Sequence, residues 1–191
     1  MKQQRLVLTR AQIDSDDPAM TAWRVLLVRS SGLKGKKFTE HIRHLPQHWR
    51  AVYTAIWLEC EVNNGGHHQF FWNSDGALNT ETLEDLRLIS ARPFVVLFKK
   101  ALAEYGRHDY AGDKQESGNT WEAFTEAYDE HRMDKLDSAF YKSPKKIGEY
   151  LADYIRKNRE IYLQGAEPSD APNGGQRRRR AVPSSRKGRH R

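Results

Sequence analysis

Glu59-Cys60-Glu61-Val62-Asn63-Asn64-Gly65-Gly66-His67-His68-Gln69-Phe70-Phe71-Trp72-Asn73 is the stretch on which the reading of this chain turns. Upstream of it, Trp49, Val52, Tyr53, Ile56, Trp57 and Cys60 recur at i, i+3, i+4, i+7, i+8 and i+11, one apolar face of a helix that starts after Pro46. That helix must stop at Asn63-Asn64-Gly65-Gly66, because Asn and Gly tolerate the left-handed backbone that closes a helix. Phe70, Phe71 and Trp72 then form a second apolar helix, ended by the turn composition Asn73-Ser74-Asp75-Gly76. Two readings of the stretch stand side by side. In the structural one, Gly65 and Gly66 permit a tight reversal, Asn63 and Gln69 bond freed main-chain groups, and Phe70 and Phe71 enter the core. In the functional one, Glu61, Asn64, Gln69 and Asn73 converge as a polar pocket at the bend.

The same helical spacing recurs on both sides, and no run of residues alternates as a strand. Asp17-Pro18 is an N-cap followed by proline at the first helical position, and Met20, Trp23, Leu26 and Leu27 place a helix over 18 to about 30. The basic stretch Gly32 to Lys37 reads as a connector. Helices follow over about 80–90 (Leu83, Leu86, Ile89) and 93–105 (Phe94, Leu97, Phe98, Ala101, Leu102, Tyr105), with Gly106 as the stop. Arg107 to Asn119 is a loop, and Thr120 caps a helix carrying Trp121, Phe124 and Tyr128. A short turn at Leu136 to Tyr141 precedes Ser143-Pro144, which predicts a final helix over about 144–163. The expected class is all-α, a compact multi-helix bundle.

The 191 residues carry a formal charge of +7, which suggests a nucleic-acid binder until the charge is divided along the chain. Ala166 to Arg191 holds eight Arg or Lys against two acids, a net of +6. Residues 1–58 carry +6, 59–108 carry −2, 109–137 carry −6 and 138–165 carry +3. Pro168, Pro172, Pro183, Gly174-Gly175 and the lack of aromatic residues predict that 166–191 is a disordered Arg-rich tail behind a helical domain of residues 1–165.

The motif at 59–73 closely resembles the signature of a bacterial all-helical family of unknown function that is named after a DNA-mimic protein, roughly E-x-E-V-N-N-G-G-F-x-Q-F-F-x-N. The resemblance extends upstream to Val52-Tyr53 and downstream to Leu136-Asp137 and Tyr154-Ile155-Arg156-Lys157-Asn158, covering about residues 45–160. His67 stands where the family usually has Phe, which makes the packing after the double glycine more polar here. The resemblance implies a helical bundle that binds another protein, with a DNA-binding regulator as the expected kind of partner, and no agreed enzymatic activity.

A DNA mimic presents carboxylates in place of phosphates. At about 100° per residue, Glu122, Glu126, Asp129 and Glu130 share one helical face, while Trp121, Phe124 and Tyr128 point roughly 150° away. The plain alternative is the solvated face of an amphipathic helix. Arg177, Arg178, Arg179 and Arg180 form a second candidate surface, able to neutralise nucleic-acid phosphates without reading bases.

Other chemistries find little support. His41, His44 and His48, with Glu40, are interrupted by Pro46, and His67-His68 point in different directions, so no metal is expected. Glu59 and Glu61, two apart on a helix, diverge and make a poor acid–base pair. Without a nucleophile elbow, a phosphate-binding glycine loop or a Cys-His signature, no enzyme activity and no cofactor are expected. Lone Cys60 fits a reducing compartment. The longest apolar runs, Val25 to Val28 and Phe94 to Phe98, fall far short of the ~18 residues of a membrane span, and Met1 to Arg10 lacks the features of a secretory signal. A cytoplasmic protein is expected, and the oligomeric state is left open, a dimer included.

Overall fold

A computed structural model describes residues 6–107, 120–128 and 133–164. Ten helices occupy them, and no strand is present among the described residues. They are α1 (Arg10–Ile13), α2 (Pro18–Arg29), α3 (Gly35–Arg43), α4 (Gln47–Ser74), α5 (Asn79–Leu88), α6 (Arg92–Tyr105), α7 (Trp121–Tyr128), α8 (Asp134–Tyr141), α9 (Ile147–Lys157) and α10 (Arg159–Gln164).

Local chemistry accounts for most of these bounds. Asp17 caps α2 by accepting a hydrogen bond from Met20 N at 2.9 Å, with Pro18 at the first position. Thr120 caps α7 through Ala123 N at 3.2 Å. Helix α4 is broken internally: Gly65 (φ −157°, ψ 33°) and Gly66 (φ 73°, ψ −177°) leave helical geometry. On a straight helix Glu61 and Asn73 would lie about 18 Å apart, yet Asn73 Nδ2 donates to Glu61 Oε2 at 2.7 Å. The chain therefore turns back sharply at the two glycines, and Leu78, just past α4, clusters with Tyr53 of its first half.

Helices α2, α5, α8 and α9 pack on α4, and α6 packs on α5 and α8. The core contains Trp49, Val52, Ile56 and Leu58 from the first half of α4, Phe70 and Phe71 from the second, and Phe94, Phe98, Phe140, Leu151 and Tyr162 around them. A smaller cluster of Leu26, Ile42, Tyr53 and Leu78 seats α3. Between α4 and α5, Arg50 holds fully buried Asp85 through Nε and one terminal nitrogen, both at 2.9 Å, while Thr54 Oγ1 donates to the same carboxylate at 2.9 Å.

Three expectations need correction. The stretch Gly32 to Lys37 is not only a connector, because α3 begins at Gly35. Its apolar positions, Phe38 and Ile42, are four apart, a spacing overshadowed in the sequence by the preceding lysines. Ser143-Pro144 does not open the last long helix. Ser143 Oγ donates instead to Lys145 O at 2.9 Å within a turn, and α9 starts at Ile147. That predicted helix is also divided at Asn158, whose Nδ2 donates back to Tyr154 O at 2.9 Å and separates α9 from α10. The residues assigned to the tail, 166–191, lie outside the described ones.

Candidate functional site

The reversal in α4 frees main-chain groups that the sequence reading assigned to Asn63 and Gln69. The structure satisfies them from α8 instead. Tyr141 Oη donates to Val62 O at 2.7 Å, and Asp137 Oδ1 accepts from His67 N at 2.9 Å. Asp137 Oδ1 is also 2.5 Å from His67 Nδ1, so one carboxylate oxygen holds both the backbone and the ring of the first residue beyond the break. His67 is buried with its ring edge-on to Phe140 at 5.7 Å, and its Nε2 has no hydrogen-bond partner among the described residues.

Glu61 forms the inner face of the bend. It is 8% exposed and accepts from Gln69 Nε2 at 3.0 Å as well as from Asn73, which ties the two halves of α4 together. Its neighbour Glu59 points elsewhere, as expected for residues two apart. The Glu59 carboxylate accepts from Ile147 N at 3.1 Å and Gly148 N at 2.8 Å, acting as the N-terminal cap of α9 from a distance in sequence. Burial pushes the Glu59 carboxyl above its usual range, against the pull of the two amides.

The structure thus brings together Glu61, Gln69 and Asn73 but leaves Asn64 out. Asn63 and Asn64 are exposed, and neither side chain makes a hydrogen bond among the described residues. Phe70 and Phe71 lie in the core: Phe70 meets Phe98 edge-on at 5.5 Å, and Phe71 stacks on Tyr105 at 4.4 Å. Gln69 folds over Gly65, where a Cβ would lie 2.3 Å from Gln69 Oε1. Sequence reasoning missed Tyr141, Asp137 and Glu59 as partners of the bend and of α9. Of these, only Asp137 had a visible signal, its place in a downstream segment sharing the family pattern.

The acidic candidate surface is described in part. Helix α7 docks on the second half of α4: Ala123 is buried, and the Phe124 ring lies 4.9 Å from His68 and 5.7 Å from Trp72. Glu122 is exposed, and Glu126 falls one turn further along α7. Asp129 and Glu130 lie outside the described residues, as do Arg177, Arg178, Arg179 and Arg180. No group of three or more candidate metal ligands occurs among the described residues, and none of their helices is long and apolar enough to cross a membrane.

No curated protein and no solved structure matches the chain. The family model described as DMP19-like protein matches residues 43–158, from the last residue of α3 to the break after α9, and so takes in the reversal, its clamp from α8 and the Glu59 cap. By that match over more than half of its length, the chain belongs to the DMP19-like protein family.

Proposed function

We propose that this chain is a non-enzymatic protein-binding module that engages a basic surface, such as that of a DNA-binding regulator, through the acidic face of α7. The observation that carries this reading is the seating of α7. Ala123 is buried and Phe124 turns inward onto His68 and Trp72, while Glu122 is exposed and Glu126 follows one turn on. Asp129 and Glu130 extend the same periodicity in sequence. Membership of a family named after a DNA-mimic protein supports the choice of partner, since carboxylates presented in a row compete for cationic side chains that otherwise meet phosphates. The folded unit ends near residue 165 in this reading, and a cytoplasmic setting follows from the lone Cys60.

The test is replacement of Glu122, Glu126, Asp129 and Glu130 by Gln in the full chain. A basic partner is isolated from nuclease-treated lysate, identified, purified and titrated without DNA. Helicity should be unchanged, while affinity falls and its salt dependence weakens. Equal binding by the variant would show that this face is not the mimic surface.

A further inference from the structure

From Pro18 to Thr39 the chain contains no acidic residue, and five cations fall in that span: Arg24, Arg29, Lys34, Lys36 and Lys37. All five are exposed, and none joins an ion pair among the described residues. Glu40, the next acid, is already engaged by Arg43. Every residue from Ser31 to Lys37 is exposed, so the end of α2, the turn and the start of α3 make one projecting corner. The fold gains nothing evident from its lysines. Lys36 and Lys37 stand in the first turn of α3, where the helix dipole disfavours positive charge, and that turn holds no acid.

We propose that this α2–α3 corner is a docking surface for the phosphate backbone of double-stranded nucleic acid. Its character is charge with little apolar area. Val28, 70% exposed, and Leu33, 37% exposed, are its large exposed hydrophobic side chains. A protein interface ordinarily needs a broader apolar centre, and a membrane-surface helix needs exposed aromatic or bulky apolar anchors. Phe38, the aromatic residue nearest the lysines, packs against Tyr53 instead. Uncompensated cations without an apolar centre suit a partner carrying regularly repeated negative charge, bound through counterion release. The surface is separate from the acidic face of α7, and the proposal stands or falls independently of that reading.

The experiment uses the full chain with Arg177–Arg180 changed to Gln, which removes the main cationic run of the tail. Binding to a short mixed-sequence DNA duplex is followed by fluorescence anisotropy across a salt series. This protein should still bind at low salt with little sequence preference. Adding K34Q, K36Q and K37Q should weaken binding at least about tenfold and flatten the salt slope by about 2 to 3, since each lost phosphate contact removes about 0.9 from it. K34R, K36R and K37R should retain binding, because they keep the charge that neutralises phosphates. Loss of all binding on changing Arg177–Arg180 alone would overturn the proposal in favour of the tail. An unchanged slope in the Lys-to-Gln variant would overturn it too. So would Lys-dependent retention on anionic phospholipid vesicles without duplex binding, or Lys-dependent self-association without it.

Discussion

Asp137 occupies the space that a side chain on Gly66 would need: a Cβ at Gly66 would lie 2.2 Å from Asp137 Oδ2. The glycine also has φ 73°, a region side-chain-bearing residues adopt at a cost. Gly66→Val should therefore destabilise the protein by about 1 to 3 kcal/mol from backbone strain, with displacement of Asp137 adding to it. Urea unfolding of the variant checks this. An unaltered midpoint would mean the reversal tolerates a side chain.

The carboxylate, rather than the imidazole, is expected to hold the bend. Asp137→Ala leaves the buried His67 amide without its acceptor, which should cost about 1 to 3 kcal/mol. His67→Phe keeps that amide bond, gives up the ring's Nδ1 contact to Asp137 and removes an Nε2 that is unpartnered among the described residues. Its effect should stay within about 1.5 kcal/mol, the net worth of one hydrogen bond, since Asp137 keeps the amide. Thermal melts of both variants decide the order, and a larger loss from His67→Phe would reverse the assignment.

Glu59 gives a pH signature. Its folded-state pKa is raised by burial above the ordinary 4.5, so within the window between the two values the native state holds more protons than the unfolded chain. The contribution of Glu59 is therefore most favourable below the ordinary value and is lost as pH rises through the raised one. Relative to Glu59→Gln, which cannot titrate, the parent protein should become progressively less stable from acid toward neutral pH, then level off. Unfolding free energies for the pair at several pH values measure the difference, and the opposite slope would mean that the cap amides outweigh burial.

Asp85 should be among the costliest polar side chains to remove. Its carboxylate is fully buried against Arg50 and Thr54, and Asp85→Ala would leave a guanidinium that is only 13% exposed with the half-exposed Glu84 as its remaining ionic partner. A loss of about 3 kcal/mol is expected, the low end for a broken buried pair because Glu84 still compensates the charge. Chemical denaturation is the measurement, and a loss below about 1 kcal/mol would show the pair to be as weak as a surface one.

A chain ending at Gln164 should keep the melting curve of the full protein. Tyr162 is buried and its carbonyl accepts from Leu8 N at 2.8 Å, so α10 belongs to the body. A lowered midpoint would move the proposed boundary beyond residue 165.

The helical class and most helix bounds were legible because they rest on neighbours in the chain: apolar spacing from Trp49 to Trp57, the Asp17-Pro18 cap, and the need for glycine at the turn, although Cys60, read as part of that apolar face, is exposed. The same local logic failed at Ser143-Pro144, where the competing cap, Glu59, lies 88 residues from Ile147. It failed again at the bend. A main-chain group freed at Val62 or His67 shows in a sequence that some partner is needed, and the nearest polar residues, Asn63 and Gln69, are the natural guess. Tertiary packing brought Tyr141 and Asp137 closer, leaving Asn63 exposed and Gln69 bound to Glu61. Short-range order is encoded by periodicity and backbone preference, whereas the choice of partner for a buried polar group depends on which distant elements the closed core brings within hydrogen-bond range.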